Sequence, residues 1–154
     1  MGFSDKLRDA LGGHGVRLSG ALDDDTVPAG KTVRGTVEAR AGERPARVEA
    51  IVVRLVRARR RWTGPDGAAV PEEDALALID HSHLSVHWDQ EVVFEARVPV
   101  GEDLAAGAET TVPFEFALST DAEPTAPNRV YTVNVQADVP GQIDPTTNLR
   151  LSVT

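Results

Sequence analysis

The sequence predicts an all-β protein, an antiparallel two-sheet β-sandwich of about seven strands. Three observations carry that prediction. Apolar residues recur at every second position, as in Val112, Phe114, Phe116 and Leu118, or Tyr131, Val133 and Val135, which gives a strand one core face. Turn signals fall between these runs: Asp23-Asp24-Asp25 with Pro28 and Gly30, Gly42 with Pro45, Gly64-Pro65-Asp66-Gly67, Gly101 with Gly107, Pro124 with Pro127, and Pro140-Gly141. Helical periodicity is nearly absent after the first dozen residues.

Taken in order, residues 3–11 predict one short N-terminal helix. Ser4 caps it, Asp5 suits its first turn, and Phe3, Leu7, Ala10 and Leu11 share a side. Gly12, Gly13 and Gly15 end it. The domain division expected is therefore 1–15 for the helix and glycine-rich join, and 16–154 for the sandwich. Strands are predicted at 16–22, 32–40, 48–60, 84–98, 110–118, 130–139 and 148–153. The stretch PAGKTVRGTVEAR, residues 28–40, is a turn feeding the second of these. Ala50–Val56 is apolar at almost every position, which suggests a central strand covered on both faces for part of its length. PEEDALALID, residues 71–80, breaks the β pattern and reads as a helical turn or two, or as part of a long hairpin connection.

Composition limits the function classes. The chain has 154 residues, 41% hydrophobic and 26% charged, with a formal net charge of −8. With a pI of about 4.9, the mean surface repels phosphate backbones and anionic lipid, so no nucleic-acid partner is expected. There is no cysteine, which excludes disulfides, thiolate metal sites and a cysteine nucleophile. The N-terminal residues lack a signal-peptide core, and no segment approaches the roughly 20 apolar residues of a membrane-spanning helix. A cytoplasmic location without stable membrane insertion is the expectation.

Four segments, in order, resemble the sporulation-control protein family, the Spo-zero-M group: PAGKTVRGTVEAR, VEAIVVRLVRARRR, VPFEFALSTDAEPTAP and VYTVNVQADVPGQIDPTTNLRLSV. Together they span most of residues 16–153. The resemblance implies a sandwich of the immunoglobulin/arrestin-like type and a non-enzymatic bacterial regulator, an adaptor or scaffold linked to development or cell division through protein partners. Two departures stand out: Tyr131 where the family often carries tryptophan, and an N-terminal segment less basic and less apolar. Family members continue into a second sandwich and a tail, so a 154-residue chain is either a single-sandwich relative or the first half of a longer protein.

Chemistry-bearing candidates are few. In HSHLSVHWD, an extended chain puts His81, His83, Ser85, His87 and Asp89 on one face and Leu84, Val86 and Trp88 on the other. The three histidines are candidate zinc or copper ligands, or a pH-sensitive surface; a solvated histidine face is the plainer reading. The acidic turn Asp23–Asp25 lacks the spacing of an EF-hand loop. Arg54, Arg57, Arg59, Arg60 and Arg61 followed by Trp62 concentrate positive charge, and Arg57–Trp62 is the candidate partner-binding strip. The opposing reading has those arginines paired with surface acids, their stems over apolar edges. Neither a Gly-x-Ser-x-Gly elbow nor a His-Glu-x-x-His helix occurs, so no enzyme and no cofactor is expected. A sugar platform is disfavoured by an aromatic content of 5%. Self-association through a sheet edge is a further expectation.

Overall fold

The computed structural model describes residues 15–154, and over them the alternation of the sequence becomes two packed sheets. In chain order the elements are β1 (Arg17–Leu22), β2 (Thr26–Val27), β3 (Thr32–Arg40), β4 (Ala46–Thr63), β5 (Ala69–Val70), α1 (Glu72–Ala77), β6 (Ser85–Leu104), β7 (Glu109–Ala117), β8 (Arg129–Asp138) and β9 (Thr146–Val153). The expected helix at 3–11 and most of its glycine-rich join lie outside the described residues. Seven of these strands occupy the predicted positions. The two-residue β2 and β5 are additions, too short to carry any period.

The smaller sheet has the order β1-β3-β7, antiparallel throughout. In the larger, β9, β8, β4 and β6 follow one another antiparallel, and β5 continues the β8 side of β4 past the end of β8. The expectation of a wholly antiparallel sandwich needs one correction. β2 runs parallel to β9, pairing Thr26 with Ser152 and Val27 with Val153, because the chain crosses from the smaller sheet to the edge of the larger without reversing.

Between the sheets, Val33, Val37, Val112, Phe114 and Phe116 of the smaller meet Ile51, Val53, Leu55, Tyr131, Val133, Val135 and Leu151 of the larger, all buried. The rings of Phe94 and Phe116 stack at 4.9 Å between centroids. Tyr131 is buried too, and its hydroxyl donates to the Glu123 carbonyl at 2.7 Å, so the one tyrosine satisfies its polar end while filling the core.

Two long strands carry the larger sheet beyond the smaller one. β4 has β6 along one side from Ala46 to Thr63, and β8 along the other from Ala50 to Arg59. It is central, as expected, but its outward residues Val52 and Val56 are only partly covered, so the apolar run reflects lateral position more than two covered faces. β6 runs on through Gly101, predicted as a turn; at φ +62° that glycine bends the strand without ending it.

Candidate interaction surface

Past Val56 the β4–β6 ribbon leaves the core, and strand alternation splits the arginine strip between two sides. Arg57, Arg59 and Arg61 continue the line of Ile51, Val53 and Leu55; Arg60 and Trp62 continue that of Arg54 on the outward face. Five arginines therefore do not make one cationic stripe.

Each also holds a carboxylate. Arg57 bonds Glu91 at 2.6 Å and Arg61 bonds Asp89 at 2.8 Å, both across the β4–β6 pair. Arg59 reaches Glu123, which also takes Arg129 at 2.6 Å. On the outward face Arg54 bonds Glu95 at 2.7 Å and Gln136 at 2.9 Å, while Arg60 bonds Glu72. The Arg61 guanidinium holds the Asp89 carboxyl below the usual carboxylate range. Exposed pairs of this kind contribute little stability one by one. Their effect is to neutralise the strip and fix its side chains. Arg57 and Arg60 are mostly covered, with side chains 19% and 18% exposed, and the Arg60 guanidinium lies near the faces of both Trp62 and Trp88.

Trp62 organises the connection that follows. Its indole N–H donates to Glu72 Oε2 at 2.6 Å, and the Arg60 guanidinium lies 5.2 Å from its ring centroid. The His81 ring tilts against it at 5.5 Å. Pro71 leads into α1, whose Ala75 is fully buried, and the helix packs on β4. This short helix takes the place where the sequence left a helical turn or a plain connection as alternatives. Glu72 is the hinge of the arrangement. The Arg60 hydrogen bond, aided by Trp62, pulls its carboxyl below the ordinary glutamate value against a desolvation effect that raises it.

A depressed carboxyl stabilises the fold wherever it is ionised. Its contribution is complete above the unfolded pKa of about 4.3 and is lost as pH falls through the lower folded value. The Trp62 indole N–H resonance will therefore hold its position from neutral pH down to about 4.3 and move only below that. A Glu72→Gln chain will lack the transition. A midpoint at or above the ordinary glutamate value would refute the assignment.

The histidines part company. β6 begins at Ser85, and a turn closed by the Leu84 N–H on the His81 carbonyl at 3.0 Å carries His81 and His83 off its line. The extended run needed to align all three is thus absent. His87 stays on the strand, 3.0 Å from the Thr63 hydroxyl. Among the described residues no three His, Asp or Glu side chains are grouped to hold a metal ion. In the acidic turn, Asp24 accepts from the Thr26 N–H at 3.0 Å and all three aspartates are exposed, the geometry of a local turn.

What sequence reasoning missed is the apolar surface beside these groups. Among the described residues, every exposed large hydrophobic except Ile143 lies between Leu76 and Val93. Leu76, Leu78 and the fully exposed Ile79 project from α1 and the residue pair after it. Val86 and Trp88, at 46% and 43% exposed, lie on β6, with Val92 and Val93 beyond. The alternation in HSHLSVHWD assigned Val86 and Trp88 an apolar face, but no second layer covers that face. The available signal was the neighbourhood: His87, Asp89, Gln90 and Glu91 leave neither side of the strand continuously apolar.

A family model described as "Spo0M: SpoOM protein" matches residues 5–154. The crystal structure of Spo0M, a sporulation control protein from Bacillus subtilis, superposes with a TM-score of 0.69 at 21% identity, over 90% of this chain and 49% of that one. The chain thus spans about half the length of that solved relative. A search of curated proteins returned no match. Among the described residues no helix is long and apolar enough to cross a membrane.

Proposed function

The chain belongs to the SpoOM protein family, and from that premise we propose that it is a protein-interaction module, an adaptor or scaffold that acts by binding rather than by catalysis. In this reading it serves developmental or division control through protein partners in the cytoplasm; its Bacillus subtilis relative is a sporulation control protein. The observation that carries the reading is the concentration of exposed apolar side chains between Leu76 and Val93, on and beside the β4–β6 ribbon that also carries the ion-paired arginines. Exposed apolar groups with a charged rim are the usual anatomy of a recognition surface.

The arginine strip then acts as that rim. Arg57, Arg59, Arg60 and Arg61 keep the ribbon rigid through their carboxylates and are available to exchange them for a partner's, and Trp62 supports the helix from beneath. Leu76, Leu78 and Ile79 supply the contact area.

Affinity capture from a native lysate tests this, with bound proteins quantified by mass spectrometry. The wild-type chain will retain specific proteins, and a Leu76→Ser, Leu78→Ser, Ile79→Ser bait will lose most of them. An Arg57→Ser, Arg59→Ser, Arg61→Ser bait will retain them several-fold less well. A wild-type bait that holds nothing above bare resin would overturn the module reading.

A further inference from the structure

We propose that a second copy of this chain adds its β6 to the free edge of β6, antiparallel and centred on Trp88, so that the two larger sheets join into one. This deepens the interaction-module reading by naming a partner, and rests on it. β6 pairs with β4 along one side, and no described residue pairs with its other side. Natural sheet edges are blunted by prolines, bulges and unpaired charges. The lower part of β6 has such devices: a register shift opposite Leu55 and Val56, then Pro99 and Gly101. The stretch Ser85–Glu91 has none, and its acids are already held by Arg57 and Arg61 of β4.

The backbone there is aimed outward. The Arg60 N–H donates to the Asn128 carbonyl at 2.9 Å, on the side of β4 away from β6. In an antiparallel ladder a residue's N–H and C=O point the same way, so the Arg60–Trp88 pair is a non-hydrogen-bonded one. The N–H and C=O of Trp88, and of Val86 and Gln90 two residues either side, then face the free edge.

Symmetry selects the register. A two-fold axis perpendicular to the sheet pairs residue i with residue j at constant i + j, and keeping outward side chains on one side requires an even sum. Centring on Trp88 pairs it with its copy and Val86 with Gln90, all through edge-facing backbone groups. On the other face it sets His87 opposite Asp89. Centring on Asp89 would oppose that carboxylate to itself, and centring on Gln90 would oppose Asp89 to Glu91, both destabilising. Centring on His87 would push Gln90 against Leu84, already in the turn. Trp88, exposed in one copy, gains an aromatic partner in the pair.

The test uses the 154-residue chain, which lacks cysteine. Sedimentation of the purified protein will show a concentration-dependent rise from 16.5 kDa to twice that mass. Gln90→Pro removes an N–H aimed at the edge and none bonded to β4; it will weaken association by at least about tenfold while keeping the folded spectrum. Trp88→Cys will cross-link under mild oxidation, because paired Cα atoms sit about 5.5 Å apart in such a register. Val86→Cys will not, its copy being displaced by roughly 13 Å along the strand. A monomer at all concentrations, or equal cross-linking of the two cysteine chains, would overturn self-pairing. A monomer that still captures lysate proteins through Leu76, Leu78 and Ile79 overturns self-pairing and leaves the module reading; a dimer that captures nothing does the reverse.

Discussion

Replacing Gly35 by valine will destabilise the sandwich by about 3 kcal/mol or more, a fall in melting temperature of roughly 10 °C. Gly35 sits on the inward face of β3, between the fully buried Val33 and Val37, and opposite Phe114 of β7. A Cβ at that position would lie 2.7 Å from the Phe114 ring tip and 2.8 Å from the Ala21 carbonyl oxygen, with Leu22 at 3.1 Å. The ring could turn aside, but only into a filled core. The carbonyl belongs to β1, whose ladder with β3 fixes its position, so relief there means breaking the pairing. Alanine at 35 will be costly as well, though less than valine. Thermal unfolding followed by circular dichroism decides the matter: a valine chain melting within a few degrees of wild type would show that β1 and β7 yield more easily than this packing allows.

That glycine illustrates what was legible beforehand. In PAGKTVRGTVEAR the alternation of Val33, Gly35 and Val37 places a glycine on the core face, but the cause lies in Phe114, which is distant in sequence and fills the space a side chain would need. Strand positions were readable because the period of two is local. The sandwich followed from their number and from the family resemblance. The parallel β2–β9 contact was not readable, since two residues carry no pattern and the pairing depends on where the chain crosses between sheets. The arginine strip was visible as composition, and its division between two faces follows from alternation alone, but its pairing with Glu91, Glu123 and Asp89 depends on the β4–β6 register and the position of the loop bearing Glu123. The exposure of Val86 and Trp88 was not readable for a related reason. Alternation tells which residues share a side, but Val86 and Trp88 share the outward side with Arg60 and Trp62, away from the smaller sheet, and what covers that side is set by how far α1 and its connection reach.

Trp62→Ala will release the connection from 64 to 84 while leaving the sandwich folded. Removing a large buried aromatic commonly costs 3–5 kcal/mol, but Trp62 packs under α1 and His81 on the outward face, away from the main core. The loss therefore falls on a segment that can open by itself. Amide exchange is the direct measure. The Ala75, Leu78 and Leu84 N–H groups, bonded to Pro71, Ala75 and His81 carbonyls, will lose at least about tenfold in protection, equivalent to 1.4 kcal/mol. Val133 and Val135 in the core will change little. Trp62→Phe should fall between, keeping the ring's packing and losing the 2.6 Å bond to Glu72, which still has Arg60. The consequence reaches the proposed interaction: Leu76, Leu78 and Ile79 lose the platform that presents them together, so the alanine chain will capture partners as poorly as the triple serine variant, although none of the three is altered. Unchanged exchange at Ala75 and Leu78 would mean that α1 stands without Trp62. The apolar surface would then owe its order to Glu72 and Arg60 instead.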